Sequence, residues 1–214
     1  MKQDYQSFRR DYHGQSLHRS QLDANPIVQF SHWLDEAANA YPDDATSMTL
    51  ATTGANGLPT ARMVLLKWFD TNGFVWFTDS GSEKGKNLKE NPHACILFYW
   101  HALERQVRIC GQVETIDAAS SDAYFASRPK VSQLSALAAQ QSQIIASRAI
   151  LEQQVADVQT QYDGISTIPR PPTWQGYRLI PDNIEFWQGR ISRLHDRLRY
   201  RNDGNSWLIE RLAP

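Results

Sequence analysis

The chain has no apolar run long enough to cross a bilayer. Its longest unbroken apolar run, Ala94 to Trp100, has seven residues, whereas a membrane-spanning helix needs roughly 18 or more. The N-terminus runs straight into charged residues without the apolar stretch of a signal peptide, so nothing in it directs export. We therefore expect a cytoplasmic protein that has no membrane partner.

Cysteine is scarce, because only Cys95 and Cys110 occur among the 214 residues. No Cys/His pattern lies nearby, so a structural zinc site and a disulfide framework are both disfavoured. The surroundings of both residues are strand-like, and we expect two buried free thiols and no metal site. The sequence also lacks HExxH and EF-hand spacings and any Ser-His-Asp set around a nucleophile, which disfavours hydrolysis by a dedicated nucleophile.

Neither sign of charge is in large excess, since the formal net charge is −1. A general nucleic-acid binder usually carries a strong excess of Lys and Arg, so we expect no nucleic-acid partner. Within this balance, 16 of the 22 cationic residues are Arg. The planar guanidinium suits bidentate contacts with phosphate or carboxylate. The composition therefore indicates small anionic ligands.

The composition is that of one ordinary globular domain, with 41% hydrophobic and 21% charged residues. Residues 1 to 24 are polar without apolar periodicity and predict a mobile arm. From Asn25, an N-cap residue, a proline at the first helical position and apolar residues at helical spacing predict a helix that closes near Ala40. We assign residues 25 to 214 to a single domain.

Strand signals separated by turn residues follow this helix. The predicted strands are Ser47 to Thr53, Pro59 to Phe69, Phe74 to Asp79, His93 to Trp100 and Arg105 to about Ile116, with a short helix from Ser82 to Asn91. The stretch from Ala118 to Tyr162 predicts two or three helices. The last predicted strands are Gly176 to Pro181, Asn183 to Gln188 and a hairpin from about Arg193 to Leu212. Together these elements favour an α+β fold around a mainly antiparallel, closed or nearly closed barrel.

The first two cationic clusters lie on predicted strands. If the chain is one strand from Arg193 to Arg201, alternation puts five basic side chains on one face: Arg193, His195, Arg197, Arg199 and Arg201. These groups repel one another unless solvent or a bound anion compensates. Arg62 and Lys67 flank an apolar run, and their spacing requires either a bulge or two different ligands.

Two further clusters accompany helices. A strand ends at Asp79, and the Gly/Ser-rich turn and helix start after it offer backbone N–H groups, Ser82 and Lys84 or Lys86 to a phosphate. Tyr124, Arg128 and Ser132, spaced four and four, suit a phosphate monoester if they converge. A solvated strand face, a plain helix cap or a helix surface also explains each cluster alone. Several such clusters without a nucleophile or metal favour a bound organic cofactor.

These clusters, in this order, resemble the pyridoxine/pyridoxamine 5′-phosphate oxidase family. The matching strings span nearly the whole chain and are most specific in its last third: Arg9 to Tyr12, Arg62 to Lys67, Trp100 to Val107, Ser127 to Pro129 with Ser132 and Gln133, Gln141 with Ser142, Ile184 to Gly189, Arg193 to Arg197, and Glu210 to Pro214. The resemblance implies a split β-barrel homodimer with two FMN sites at the subunit interface. It implies oxidation of pyridoxine 5′-phosphate or pyridoxamine 5′-phosphate to pyridoxal 5′-phosphate, with O2 reduced to hydrogen peroxide.

The resemblance also implies site residues, position by position. FMN would contact Arg62, Met63, Val64, Leu65, Leu66, Lys67, Phe77, Thr78, Glu83, Lys84 and Gln106, the facing subunit's Gln141 and Ser142, and, near the ring system, Trp187 and Arg197. The substrate phosphate would meet Lys67, Tyr124, Arg128 and Ser132. Arg193 and His195 would be catalytic and orient the pyridine ring, with Leu194 between them. A lid would close over the site with Arg9, Arg10, Asp11 and Tyr12.

Glu83 departs from the family pattern, because a cation commonly stands beside the phosphate-binding Lys84. A carboxylate there would repel an FMN phosphate and weaken FMN binding. Phe77 replaces a frequent Tyr, but neither change touches Arg193 or His195, so we expect an active enzyme. Two alternatives stay open: a non-catalytic FMN or B6-vitamer binding protein, and a split-barrel flavoenzyme acting on another substrate, as in phenazine-forming relatives.

Overall fold

The computed structural model describes residues 3–8 and 10–214. The helices are α1 (Pro26–Ala40), α2 (Glu83–Glu90), α3 (Ala118–Ser127), α4 (Lys130–Ala138) and α5 (Arg148–Gln161). The strands are β1 (Ser47–Thr53), β2 (Pro59–Leu65), β3 (Trp68–Asp70), β4 (Gly73–Asp79), β5 (His93–Trp100), β6 (Arg105–Thr115), β7 (Trp174–Gln188), β8 (Asp196–Asn202) and β9 (Trp207–Leu212). Short 3₁₀ turns lie at Arg19–Gln21, His101–Leu103 and Ile191–Arg193. Within these ranges, no helix combines the length and apolarity needed to span a membrane.

The strands form one sheet in which β2, β1, β5, β6, β7, β4 and β3 are neighbours in that order. Strand β8 pairs with β7, and β9 pairs with β8. The pairs β3–β4, β4–β7, β7–β8 and β8–β9 are antiparallel. Helices inserted between strands of a mainly antiparallel sheet give the α+β class expected from the sequence.

The chain divides into two compact units, each built from separate stretches of sequence. Unit 1 comprises Met1–Leu50, Cys95–Gly111 and Pro181–Pro214, and unit 2 comprises Ala51–Ala94 and Gln112–Ile180. The division into a mobile arm over residues 1 to 24 and one domain over residues 25 to 214 stays a prediction.

Each unit has an aromatic core. In unit 1, the Asn25 side chain accepts the N–H of Ile27 and Pro26 opens α1, as predicted. The helix then buries Phe30 against Phe98, with 5.1 Å between ring centroids, and Trp33 against Phe186 at the same distance. In unit 2, the buried residues Phe125, Leu134, Ile168 and Trp174 form the core cluster between the helices and the start of β7.

Two predicted strand boundaries are wrong. The predicted strand from Pro59 to Phe69 is broken after Leu65, and β3 starts only at Trp68. The two segments predicted around Pro181 are instead one strand of 15 residues, β7. Pro181 does not end the strand, because proline is compatible with an extended backbone and removes only one N–H donor.

The predicted basic face of five side chains does not form. Ser192 and Arg193 have φ values of 55° and 60°, so the chain turns there and β8 begins only at Asp196. Arg193 and His195 therefore lie outside the strand. The three arginines that remain on β8 pair with carboxylates: Arg197 with Glu185 at 2.6 Å, and Arg199 and Arg201 with Glu210 at 2.7 and 3.3 Å.

The two cysteines form a disulfide, which corrects the expectation of two buried free thiols. Cys95 and Cys110 are half-buried and lie on the neighbouring strands β5 and β6, with 4.2 Å between their Cα atoms. Residues opposite each other on adjacent strands come this close regardless of their separation in sequence. The sequence predicts both strands, and the disulfide follows only once their register places the two cysteines opposite each other.

Candidate active site

A cavity of about 530 Å³ in unit 2 gathers many of the residues that the resemblance assigned to phosphate and cofactor. Of those residues, the wall contains Arg62, Met63, Val64, Leu65, Lys67, Phe77, Thr78, Lys84, Tyr124, Arg128, Ser132 and Gln141. Arg62 and Lys67 reach the same cavity because the strand ends between them, and the Lys67 N–H donates to the Val75 carbonyl at 2.8 Å. Of the two alternatives, a bulge or two different ligands, the strand break therefore resembles the first, because it brings both cations to one cavity.

Tyr124, Arg128 and Ser132 meet at the junction of two helices. Tyr124 lies in α3, Arg128 ends that helix, and Ser132 lies in the first turn of α4 after Pro129. The ring of Tyr124 stacks on Phe77, with 4.1 Å between centroids. Because the chain changes direction at the proline, all three side chains line one cavity.

Arg128 has no carboxylate partner among the described residues. Its guanidinium carbon lies 4.9 Å from the centroid of Trp174, and its Nη1 is buried without a hydrogen bond. Burial lowers the pKa of this guanidinium from its usual value, but an arginine keeps its proton at any relevant pH. A half-buried cation without an acid is costly, so this group favours an anion in the cavity.

Lys84 supplies a second cation at the start of α2. Its Nζ donates to the Ser82 hydroxyl at 3.2 Å and to Oε1 of Gln141 at 3.0 Å. Burial, followed by the nearby charge of Arg62, lowers the pKa of Lys84. The resemblance assigned Gln141 to the facing subunit, whereas here this chain's own Gln141 contacts Lys84; Ser142 is exposed and does not line the cavity.

The carboxylate of Glu83 faces the guanidinium of Arg62. The two side chains form an ion pair at 3.2 Å, and the Glu83 side chain is 57% exposed. Arg62 also donates to the hydroxyls of Thr52 and Thr60 at 2.8 and 2.6 Å. The carboxylate expected to repel a phosphate therefore already has a cationic partner.

Unit 1 holds the second set of assigned residues. The rings of Tyr12, Trp187 and His195 contact one another, with centroid distances of 5.6 Å from Tyr12 to Trp187, 5.0 Å from Tyr12 to His195 and 4.6 Å from Trp187 to His195. Arg193 lies in the adjacent 3₁₀ turn. It lines a polar cavity of about 250 Å³ together with Arg10, Asp11, Tyr12, Arg190 and Ser192.

The hydrogen bonding of His195 sets its tautomer. The backbone N–H of Arg190 donates to Nδ1 at 3.1 Å, so the neutral ring carries its hydrogen on Nε2. Burial, and next the charge of Arg193, lowers the pKa of His195 from 6.5. At neutral pH the side chain is therefore an uncharged donor through Nε2.

The remaining assigned residues are spread over the chain. Arg197 donates to Glu185, a buried acid that also pairs with Arg108. Leu66 is buried, Gln106 is half-buried on β6, and Leu194 is exposed. Arg9 lies outside the described residues. Sequence reasoning gave no role to Glu104, which binds residues 10, 13 and 14, because a lone acid in a turn shows its partners only after folding.

A mainly antiparallel sheet with peripheral helices, and a cavity lined by several cationic side chains, are those of a split-barrel protein of the α+β class. A family model described as pyridoxamine 5′-phosphate oxidase matches residues 34–162. A second, described as the pyridoxine 5′-phosphate oxidase C-terminal dimerisation region, matches residues 174–214. The chain belongs to the pyridoxine/pyridoxamine 5′-phosphate oxidase family, which confirms the resemblance seen in the sequence.

Curated relatives match along almost the whole chain. Proteins named pyridoxine/pyridoxamine 5′-phosphate oxidase from Acaryochloris marina and Paraburkholderia phymatum are 50% and 52% identical to it. The matches cover 96% of this chain in both cases, and 94% and 97% of the two relatives.

Two solved structures share the fold. PhzG from Burkholderia lata 383, in complex with tetrahydrophenazine-1-carboxylic acid, has a TM-score of 0.87 at 31% identity, covering 94% of this chain and 99% of that one. A pyridoxamine 5′-phosphate oxidase-related, FMN binding protein from Nostoc punctiforme has a TM-score of 0.70 at 20% identity and shows the fold alone; it covers 90% of this chain and 100% of that one.

Replacing Arg128 by Met tests the unpartnered cation. The variant removes a costly charge, so we expect the ligand-free protein to melt at the same or a higher temperature. Inorganic phosphate should raise the melting temperature of the unmodified protein and not that of Arg128→Met. Arg170→Met is the control, because Arg170 pairs with Asp122 at 2.6 Å and its loss should destabilise the protein. An intact phosphate response in Arg128→Met would contradict this role.

Proposed function

We propose that the protein oxidises pyridoxine 5′-phosphate or pyridoxamine 5′-phosphate to pyridoxal 5′-phosphate, in the salvage or synthesis of vitamin B6. The alcohol and O2 give the aldehyde and hydrogen peroxide; the amine also consumes water and releases ammonia. The observation that carries the proposal is the unpartnered guanidinium of Arg128, beside Tyr124 and Ser132 in one cavity. The curated relatives at about 50% identity support it.

FMN is the cofactor that the unit 2 residues fit. Lys84 donates only to neutral groups among the described residues, so its charge is available for a phosphate. Arg62, the segment to Lys67, Phe77 and Thr78 would complete the contacts. The ion pair with Arg62 reduces the repulsion expected from Glu83. When bound, FMN supplies the two-electron acceptor that protein side chains lack and passes the electrons to O2.

Substrate binding follows from the donors that this chain offers. Lys67, Tyr124, Arg128 and Ser132 would hold the substrate phosphate in unit 2. Each charge-assisted hydrogen bond contributes about 1.5 to 3 kcal/mol. This remote group would thereby supply binding energy that positions the substrate.

Arg193 and His195 would act on the pyridine ring. Arg193 is permanently cationic and, like Arg128, forms no ion pair with a described carboxylate, so it can favour negative charge that develops during oxidation. His195, neutral and protonated on Nε2, can donate a hydrogen bond to the 3-oxygen of the ring. Neither residue needs to act as a strong base. Trp187 and Arg197 would contact the cofactor, and residues 9–12 would close the site.

A homodimer is the assembly that we propose, supported by the match of residues 174–214 to the family's dimerisation region. The similarity to PhzG makes a phenazine-type substrate the second candidate. The cluster around Arg128 favours the phosphorylated substrate, because Tyr124 and Ser132 add hydroxyl donors beside that guanidinium and such a set suits a phosphate monoester.

The proposed activity is tested by anaerobic mixing of the purified, flavin-loaded protein with pyridoxamine 5′-phosphate. We expect the flavin absorbance near its long-wavelength maximum to bleach, and admission of O2 to restore it with release of hydrogen peroxide. An unchanged spectrum with bound ligand would favour the non-catalytic binding protein. Bleaching by a phenazine precursor alone would favour the second candidate.

Alanine variants separate the two sets of residues. Arg193→Ala should lower turnover while FMN stays bound, whereas Arg62→Ala should chiefly weaken FMN binding. Arg201→Ala is a matched control, because Arg201 pairs with Glu210 and belongs to neither set. Flavin content after dialysis and kcat are the measurements, and equal flavin loss in the Arg193 and Arg62 variants would contradict the assignment.

His195 predicts a particular pH dependence. The neutral ring is the active donor and its pKa is lowered from 6.5. Activity should therefore be constant around neutrality and fall only when the pH drops below 6.5, because a proton on Nδ1 would oppose the Arg190 N–H and displace the ring from its position. The measurement is kcat/KM against pH. The acid limb should disappear in His195→Gln, and an acid limb centred above pH 6.5 would argue against a neutral His195.

A further inference from the structure

Glu104 is a half-buried acid to which the proposed chemistry gives no role. It follows the 3₁₀ turn between β5 and β6, and its side chain is 12% exposed. Oε2 accepts the backbone N–H groups of His13 and Gly14 at 2.7 and 2.8 Å, and Oε1 accepts Nη2 of Arg10 at 3.0 Å. Its carboxylate thus binds one short segment, residues 10–14, which we call the arm segment.

The backbone of Glu104 is hydrogen-bonded to the end of β7. Its carbonyl accepts the N–H of Gly189 at 2.7 Å, directly after β7. Gly189 is required by close packing, because a Cβ there would lie 2.5 Å from Cδ1 of Tyr12 and 3.1 Å from Cβ of Glu104. The arm segment, Glu104 and the end of β7 are therefore in tight contact within unit 1.

These contacts of Glu104 determine where Tyr12 lies. The arm segment is bonded to the same carboxylate on both sides of Tyr12, through the Arg10 side chain and the backbone of the two residues that follow. Between these anchors the Tyr12 ring packs edge-on against Trp187 and His195. Loss of the carboxylate would free the arm segment and remove the ring from His195.

The backbone conformation of Glu104 indicates that its side chain has a specific role. Its φ and ψ are 52° and 38°, a left-handed conformation in which glycine is less strained than any residue with a Cβ. Burial raises the pKa of the carboxyl group, but hydrogen bonds from the arm segment outweigh this and lower it overall. The turn would be less strained with glycine. A charged residue in such a conformation is typical of a functional position.

We infer that Glu104 is a positioning residue, which holds the arm segment closed so that Tyr12 covers Trp187 and His195. The kinetic consequence of this role rests on the proposed function, but the closure itself does not. In the oxidation, the closed arm would exclude water from the pyridine ring and complete the cavity that Arg193 lines. Glu104 acts only through the arm segment and touches no reacting atom.

Amide hydrogen exchange of the full-length, flavin-loaded protein tests the closure directly. In Glu104→Gln, the amides of His13 and Gly14 should exchange about tenfold faster or more, as expected when a charged acceptor is lost. Glu210→Gln is the matched control, because it removes a carboxylate that holds two arginines but does not contact the arm segment. Unchanged exchange at both amides in Glu104→Gln would overturn the inference.

Steady-state kinetics test the consequence of closure. We expect KM for pyridoxamine 5′-phosphate to rise about tenfold in Glu104→Gln, with kcat changed by no more than about threefold. The Glu210 variant should match the unmodified protein. Faster amide exchange with an unchanged KM would overturn the positioning role. Faster exchange in a protein without oxidase activity would support the closure and refute only the proposed function.

Glu104→Gly separates positioning from folding. Glycine removes the backbone strain together with the carboxylate, so this variant should melt at the same or a higher temperature than Glu104→Gln. It should still show the fast amide exchange and the raised KM. A glycine variant that is well folded and keeps both amides protected would overturn the inference, even if the glutamine variant failed to fold.

Discussion

Ion pairing of arginine is the interaction on which the rest of this structure depends. Among the described residues, 12 arginines form an ion pair with a carboxylate, and these pairs join strands, turns and the N-terminal segment. Arg19, Arg128 and Arg193 are the described arginines without such a pair. Arg19 lies in an exposed turn, but the other two line cavities. The arginines left without an acid therefore mark where an anionic ligand can supply one.

The same pairing explains why a net charge of −1 is a poor guide to ligand charge. Most of the arginine side chains pair with nearby carboxylates. The near-zero net charge therefore reflects ion pairs within the fold. Two acids that are at least half-buried hold more than one donor each: Glu185 pairs with Arg108 and Arg197, and Glu104 binds three groups of the arm segment. Removing either acid would leave several donors unsatisfied at once, which makes these positions more sensitive than exposed pairs.

The sequence predicted helices and strands correctly where a single local signal determines them. The bounds of β1 and β5 and the cap of α1 agree with the sequence, because alternation and an Asn-Pro start are strong local signals. The break after Leu65 and the turn at Ser192 and Arg193 were missed, since no glycine or proline marks either one. The disulfide was missed because the register between the two predicted strands, β5 and β6, was not worked out.

The candidate site was predictable by residue type and less so by geometry. The spacing and the family motifs named Tyr124, Arg128 and Ser132, and the structure brings them together around a helix end, where the sequence allowed them to converge. The motifs also named Arg193 and His195, but a strand would have placed both in a row of five basic side chains. The left-handed turn removes them from that row and sets the Arg190 N–H against Nδ1 of His195. Backbone strain there yields one neutral donor beside one cation, a pairing that an extended basic strand would not provide.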